Sequence, residues 1–154
     1  MEGVPSDGPC EFVYKNGQLK AKGAYKNGQL DGPYESYHEN GQLASKGNFE
    51  DGLENRLWES YYEDGRLKFK GNYKDGKLDG PGEWSHSNGQ LRERQAYKEG
   101  IKDGPWAFFY ENGQVKSEGN YDDGERNGPF KVFYQNGQLR SRGNYKGDKR
   151  DGPY

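Results

Sequence analysis

The chain has little of the material from which proteins build a thick hydrophobic interior. Only 29% of its 154 residues are hydrophobic, whereas 31% are charged, and the hydrophobic residues never form a long run. A helix that spans a membrane needs about 20 consecutive apolar residues, so the sequence predicts no spanning helix. The first five residues have neither the basic start nor the apolar stretch of a signal peptide. We therefore expect a cytoplasmic protein.

Cysteine and an excess of one charge are also lacking. Cys10 is the only cysteine, which excludes an internal disulfide framework, and we interpret it as a small buried filler. The formal net charge is −2, whereas nucleic-acid-binding proteins show a strong basic excess. We therefore expect no nucleic-acid partner. No motif pairs a nucleophile with its base or forms a phosphate-binding loop, so we expect neither catalysis nor a cofactor.

Glycine and aromatic residues are abundant, and they recur with a fixed period of 24 residues. Each copy begins close to an Asp-Gly-Pro-aromatic sequence, and no insertion separates the copies. A fixed repeat of this kind is typical of an array whose units contact only their neighbours. The sequence predicts an N-terminal tail at residues 1–6 and a repeat array at residues 7–154. The copies span residues 7–30, 31–54, 55–78, 79–102, 103–126 and 127–150, with a partial copy at residues 151–154.

Two turn signals divide each copy into short segments that are rich in aromatic residues. The first is an Asn-Gly or Asp-Gly dipeptide such as Asn40-Gly41, and it predicts a two-residue type I′ hairpin turn. The second follows 11 residues later, as at Asp51-Gly52. The segments between the turns have the composition of β-strands. The predicted fold class is all-β: an elongated, twisted, single-layer antiparallel β-meander built from six 24-residue β-hairpin repeats.

A two-residue turn fixes which residues lie opposite each other on neighbouring strands. With Asn40-Gly41 as the turn, Tyr34 lies opposite Gly47, and we expect the ring to cover that glycine. In the fourth copy the aromatic residue is replaced by Gly82 and its opposing glycine by Gln95, as expected for two residues that share one space. The other predicted pairs are Glu11–Lys22, Glu35–Lys46, Glu59–Lys70, Glu83–Arg94, Trp58–Gly71, Trp106–Gly119 and Phe130–Gly143.

This register separates an aromatic face, which also holds Phe108 and the tyrosines equivalent to Tyr14, from a charged face with a Glu–Lys ladder. We interpret most of the rings as the structural core of the sheet. Because one sheet cannot cover its own face, part of the aromatic face is predicted to form a groove for a partner. The predicted groove residues are Tyr34, Trp58, Tyr62, Trp84, Trp106, Tyr110 and Phe130.

The acidic residues and the two histidines have simple structural interpretations. Asp31 and its equivalents stand beside Gly-Pro, where turn chemistry explains them without calcium. His38 and His86 occupy a position at which other copies have tyrosine, and they lie two copies apart. We interpret them as tyrosine substitutes and expect no metal site.

The repeat resembles a known family. Its signatures are Tyr-His-Glu-Asn-Gly-Gln-Leu at Tyr37–Leu43, Tyr-Glu-Asn-Gly-Gln-Val at Tyr110–Val115, and Lys-Gly-Asn-aromatic-x-Asp-Gly at Lys46–Gly52 and Lys70–Gly76. Together they resemble the variant MORN repeat, in the form found in bacterial proteins commonly labelled YwqK-type antitoxins. The resemblance covers residues 7–154 and implies twisted β-hairpin arrays that act as binding scaffolds in toxin–antitoxin systems.

We therefore expect a non-enzymatic protein-binding repeat scaffold, most concretely an antitoxin or immunity protein that neutralises a toxin by direct binding. Two alternatives stay open: a structural scaffold that binds anionic lipid at a membrane surface, and a binder of cell-wall carbohydrate or choline. The membrane surface is the second choice because glutamates compensate the basic residues. Unpaired edge strands also predict edge-strand or end-to-end self-association.

Overall fold

The structure is a computed structural model that describes residue 3 and residues 5–152. These residues form strands and turns, and no helix that could span a membrane is present among them. Residues 1, 2 and 4 of the predicted tail and residues 153–154 of the predicted partial copy lie outside the described residues. The chain divides into two compact units, residues 1–77 and residues 78–154.

The first unit is an antiparallel sheet with the order β1-β2-β4-β5-β6-β7, in which β3 also pairs with β2. Each strand pairs with the next one along the chain because short turns join them. The strands are β1 (Gly8–Val13), β2 (Leu19–Lys26), β3 (Gln29–Leu30), β4 (Gly32–Tyr37), β5 (Leu43–Glu50), β6 (Leu53–Tyr61) and β7 (Leu67–Lys74).

The second unit has the same architecture, with the order β8-β9-β10-β11-β13-β14-β15 and β12 paired with β11. The strands are β8 (Lys77–Ser85), β9 (Leu91–Lys98), β10 (Ile101–Phe109), β11 (Val115–Asp122), β12 (Glu125–Arg126), β13 (Gly128–Phe133), β14 (Leu139–Lys146) and β15 (Lys149–Asp151). The predicted all-β antiparallel meander of β-hairpin repeats is confirmed in both units.

The predicted strand register is confirmed in the middle of the hairpins. Tyr34 pairs with Gly47, and Glu35 pairs with Lys46. The aligned pairs of the other copies are Cys10–Gly23, Glu11–Lys22, Trp58–Gly71, Glu59–Lys70, Gly82–Gln95, Glu83–Arg94, Trp106–Gly119 and Phe130–Gly143. The predicted backbone pairs are therefore correct, including Gly82 opposite Gln95.

The type I′ turn predicted at Asn40-Gly41 is wrong. The amide of Gly41 donates to the carbonyl of His38 at 2.9 Å, and the amide of His38 donates to the carbonyl of Gln42 at 2.8 Å. Gly41 has a φ of 85°, whereas Asn40 is not in the positive-φ region. These features describe a three-residue loop, in which a turn is followed by a bulge glycine. The bulge shifts the register, so Tyr37 pairs with Leu43.

Type I′ geometry occurs instead at the second turn of each copy. Asp51 has a φ of 50° and Gly52 a φ of 81°, as a type I′ turn requires at both central residues. The amide of Asp51 donates to Asp31 Oδ2 at 3.2 Å, and the Asp7, Asp79 and Asp103 carboxylates accept equivalent bonds. These regularly spaced aspartates therefore stabilise turns, in agreement with the interpretation that turn chemistry explains them.

The sheet has almost no enclosed core. Among the described residues, Ala21 and Phe130 are the only buried hydrophobic residues, with 4% and 5% of their surface exposed. The aromatic side chains are instead half-buried against the sheet and against each other. The surface of the sheet, rather than an interior, is therefore where function is expected.

Candidate binding faces

The first unit carries a connected row of rings on one face. This first aromatic row consists of Tyr34, Phe49, Trp58, Phe69 and Tyr73, and all five side chains are partly exposed. The ring centroids are 5.2 Å apart for Tyr34–Phe49, 5.1 Å for Phe49–Trp58 and 6.4 Å for Trp58–Tyr73. Their planes meet at 90°, 80° and 75°, which is the favourable edge-to-face arrangement. The row therefore stabilises itself without a second layer of structure.

Two rings of the first row, Tyr34 and Trp58, lie over glycines of the preceding copy. A Cβ built at Gly47 would overlap the Trp58 ring, and one at Gly23 would lie 3.1 Å from the Tyr34 ring. Each ring thus covers the glycine of the preceding copy, and the prediction that Tyr34 covers Gly47 is wrong. An interior strand has a neighbour on each side, so a ring opposite two glycines can lie over either one.

In the second unit the rings cover the glycines of their own hairpins, as predicted. A Cβ at Gly119 would lie 2.5 Å from the Trp106 ring, and one at Gly143 would lie 2.8 Å from the Phe130 ring. Trp106 also contacts Phe108, with 5.8 Å between the centroids. Trp106 and Phe130 therefore lie over glycines of their own hairpins, whereas the first-unit rings lie over glycines of the preceding copy.

Gln95 explains this difference. Trp106 pairs with Gln95 on β9 and with Gly119 on β11. Gln95 is 1% exposed and donates from Nε2 to the Ala96 carbonyl at 2.6 Å, so it fills the space that a glycine would leave. Trp106 consequently covers Gly119. Because Gly119 is already covered by Trp106, Phe130 lies over Gly143 instead.

The predicted groove residues are distributed over both units. Tyr34 and Trp58 are in contact at 6.0 Å within the first aromatic row, while Trp84 lies 6.2 Å from Tyr97 in the second unit. Trp106 and Phe130 lean over neighbouring glycines, as described above. Tyr62 and Tyr110 lie at the hairpin loops, where the amine nitrogens of Lys68 and Lys116 are 5.7 Å and 5.8 Å from their ring centroids.

Sequence reasoning gave no special role to Glu54 and Phe69. Glu54 occupies the position of Leu30 and Leu78, and Phe69 occupies a position at which the second unit has Ser117. Both residues lie beside Trp58 and Tyr73 at a cavity of about 190 Å3 in the first unit. A departure from the repeat pattern is the signal by which these residues could have been found.

The interpretation of the histidines as tyrosine substitutes is confirmed by their partners. His38 Nε2 lies 2.9 Å from the carbonyl oxygen of Tyr61, and His86 Nε2 lies 2.9 Å from that of Phe109. The hydroxyl of Tyr14 donates to the equivalent carbonyl of the next copy, that of Tyr37, at 2.6 Å. Histidine and tyrosine thus make the same bond between copies.

The opposite face carries the charge ladder. Lys22 Nζ lies 2.8 Å from Glu35, and Lys46 Nζ lies 2.9 Å from Glu59. Both ion pairs join one copy to the next, although each lysine also lies opposite a glutamate in the strand register of its own hairpin. The amine of Lys46 and then the Tyr61 hydroxyl hold the pKa of Glu59 below its usual value. The ladder therefore links consecutive hairpins.

The charge ladder is interrupted in the second unit. Ala107 stands between Arg94 and Glu118, at a position where four other copies have glutamate. Arg94 turns away to Glu83 at 2.9 Å, and Glu118 turns to Lys131 at 3.8 Å. A cavity of about 430 Å3 lies beside Ala107, and its walls include Pro105 and Pro129.

Comparison with known families agrees with this architecture. The family model described as MORN repeat variant matches residues 6–27, 30–51, 57–75, 78–99, 102–123 and 126–146. These segments follow the hairpins of the structure and cover most of the chain. A search among the curated proteins finds no match.

Proposed function

The chain belongs to the MORN repeat variant family, and from this premise we propose that it binds a protein partner through the aromatic face of its sheet. MORN repeats are typically repeat scaffolds that bind proteins or lipids, rather than enzymes. The choice between these two kinds of partner depends on which surface of the sheet is available.

The observation that carries the proposal is the uncovered state of the aromatic rings. The five rings of the first aromatic row are all partly exposed, and in the second unit Phe108 is 37% exposed. Tyrosine and tryptophan are favoured anchors at protein interfaces because they bury a large apolar area and keep a polar tip. A protein partner with an apolar patch would complete the missing second layer.

The basic residues favour a protein over an anionic lipid surface. A lipid surface attracts clusters of lysine and arginine that lack compensating charge. Here Lys22, Lys46 and Arg94 are each within 2.9 Å of a glutamate oxygen, and the formal net charge is −2. Glutamates therefore compensate part of the positive charge that the ladder would offer to a membrane.

The finer proposal is that the partner is a toxin, which the chain neutralises by covering its surface. The resemblance of the repeat signatures to those of bacterial antitoxins supports this role. Burial of the rings would supply the affinity, and the charges at the margin of the aromatic face would steer the association with the toxin. Such a pair is expected to form a tight complex of fixed stoichiometry.

Affinity capture from the native host, followed by calorimetry with the captured protein, tests the proposal. Phe12 and Phe108 are 40% and 37% exposed, so Phe12→Ala and Phe108→Ala remove rings without opening a core. We expect at least one of them to weaken binding by about 1–2 kcal/mol. The control Lys22→Ala, on the charge ladder, should leave the affinity unchanged.

Two results would contradict the proposal. If both phenylalanine variants bind the partner as tightly as the wild type and Lys22→Ala loses binding, the partner binds the charge ladder. Binding to anionic vesicles with a steep dependence on salt, and no captured protein, would favour the lipid alternative. For the toxin, co-expression of the captured protein with the wild-type chain should restore host growth, and failure to do so would reject the antitoxin role.

A further inference from the structure

One repeat position holds a cation above a tyrosine ring in the second unit. The residue that follows the second turn by two positions is Lys102 or Arg126 in these copies. Lys102 Nζ lies 5.1 Å from the centroid of the Tyr121 ring, and Arg126 Cζ lies 4.4 Å from that of Tyr145. A cation within about 6 Å of an aromatic centroid is attracted by the negative face of the ring. The repeat thus contains a cation site that the chain fills itself.

One copy of the first unit carries the opposite charge at this position. Glu54 and Tyr73 stand two copies before Lys102 and Tyr121. Among the described residues, no lysine or arginine forms an ion pair with the Glu54 carboxylate. The position that is filled by an internal cation elsewhere is therefore occupied by an unpaired carboxylate here.

Glu54 shares a cavity with three aromatic rings. Glu54, Trp58, Phe69 and Tyr73 line a cavity of about 190 Å3, together with Ser45, Ser60 and Glu59, whose carboxylate is paired with Lys46. The Tyr73 centroid is 6.4 Å from that of Trp58 and 6.4 Å from that of Phe69, with interplanar angles of 75° and 74°. The rings therefore form walls at nearly right angles, instead of a flat stack.

The charge of Glu54 reaches the rings. Burial and, after it, the negative charge of Glu54 raise the pKa of the Tyr73 hydroxyl above its usual value. Glu54 thus acts electrostatically on one of the rings that line the cavity.

We propose that Glu54, Trp58, Phe69 and Tyr73 form a binding site for an alkylammonium group. Aromatic walls are the recognised means of binding quaternary ammonium and methylated lysine, and a carboxylate adds the opposite charge. An anion would be repelled by Glu54, and a neutral apolar group would desolvate the carboxylate without pairing it. Of the common ligand charges, only a cation satisfies both the rings and the carboxylate.

This site does not depend on the proposed protein partner. A free quaternary ammonium compound and a methylated lysine side chain present the same chemical group, and the cavity could receive either source. The two sources are distinguished by the probes of the experiment. Failure of protein capture would leave the ammonium site standing, and failure of the ammonium site would leave protein capture standing.

Calorimetric titration of the full chain with choline, and with its neutral isostere 3,3-dimethylbutan-1-ol, tests the site. We expect choline to bind at least about tenfold more tightly than the isostere, because the isostere lacks the charge. In two-dimensional NMR spectra, the indole NH signal of Trp58 should shift with choline. Trimethyl-lysine amide and a short peptide with one trimethyl-lysine then compare the two sources.

Glu54→Lys is the decisive variant. Lysine is already present at this repeat position as Lys102, so the variant is expected to fold and to place its own amine over Tyr73. We expect it to weaken choline binding by at least about tenfold. Glu63→Lys makes the same change of charge on an exposed hairpin loop, and its affinity should stay within about twofold of the wild type.

Three outcomes would overturn the proposal. The first is equal affinity for choline and the neutral isostere. The second is an unchanged affinity for choline in the folded Glu54→Lys variant, and the third is an equal loss of affinity for choline in Glu54→Lys and Glu63→Lys. The last result would show a general effect of net charge. Circular dichroism of each variant establishes that it is folded before the titration.

Discussion

At the scale of single residues, glycine on the return strand allows an aromatic ring to lie flat against the sheet. Gly47 is a tight example, because any Cβ there would overlap the Trp58 ring. Gly23 is less tight, since a Cβ there would lie 3.1 Å from the Tyr34 ring. The two positions are equivalent in the repeat, so they form a matched pair for substitution.

Gly47→Ala is expected to destabilise the chain more than Gly23→Ala. The added methyl group must displace the Trp58 ring, and overpacking of this kind costs about 1–3 kcal/mol. At Gly23 the Tyr34 ring needs to move only by a few tenths of an ångström, so a smaller loss is expected. Chemical denaturation of both variants measures the free energies of unfolding. Equal losses would show that the ring contact does not decide the stability at these positions.

At the scale of the secondary-structure elements, the charge ladder joins strands of consecutive hairpins. Lys46 on β5 pairs with Glu59 on β6 at 2.9 Å, and the Tyr61 hydroxyl donates to the same carboxylate at 2.8 Å. These bonds hold the pKa of Glu59 below its usual value. A carboxylate whose pKa is lowered by folding stabilises the folded state above its unfolded pKa, and this contribution is lost as the pH falls.

The free energy of unfolding is therefore expected to decrease as the pH falls below about 5, through the unfolded glutamate pKa of about 4.3 and towards the lower folded one. Lys46→Met should reduce this decrease, because the pKa of Glu59 would move back towards its unfolded value. Exposed ion pairs contribute about 0.2–1 kcal/mol, which sets the size of the change.

Urea denaturation between neutral and acidic pH measures this effect. Lys74→Met is the control, since Lys74 forms no ion pair in the part of the chain that the structure describes. Parallel pH profiles for Lys46→Met and the wild type would contradict the assigned role of the ladder.

At the scale of the whole molecule, one exceptional copy changes the packing of a repeat array. Gln95 replaces the glycine on which a ring could lie, and Gly82 replaces the ring. In the second unit, Trp106 and Phe130 then lean over Gly119 and Gly143. Repeat arrays respond to such changes locally, because each copy contacts only its neighbours.

A double-mutant cycle tests whether Gly82 and Gln95 share one space. Gly82→Phe alone inserts a ring where a Cβ would already lie 2.8 Å from the Trp84 ring, and Gln95→Gly alone leaves a void, so both single variants should be destabilised. The double variant restores the pattern of the other copies, and we expect a favourable coupling of about 0.5–3 kcal/mol. The free energies of unfolding of all four proteins give the coupling.

Leu139→Ala combined with Gln95→Gly is the control for this cycle. Leu139 is 48% exposed and does not pair with β8 or β9, so the two changes should be additive. A coupling between Gly82 and Gln95 no larger than that of the control would contradict the shared space.

The sequence by itself determined the period, the strand order and the pairing of Tyr34 with Gly47. It did so because short turns at constant spacing leave one antiparallel register that places Glu35 opposite Lys46. The type of turn at Asn40-Gly41 was wrong, since Asn-Gly also suits a three-residue loop with a bulge glycine. That choice depends on the backbone bonds of His38, which the dipeptide does not reveal.

Only the tertiary structure decided which glycine each ring covers and which glutamate each lysine binds. Trp58 has Gly47 on one side and Gly71 on the other, and the repeat makes these two neighbours alike in sequence. Strands on both sides lie about 4.8 Å away, so the pairing pattern alone does not favour either. Which glycine a ring covers depends on whether another side chain already fills the neighbouring space, as Gln95 does beside Trp106. This occupancy is a property of packed side chains.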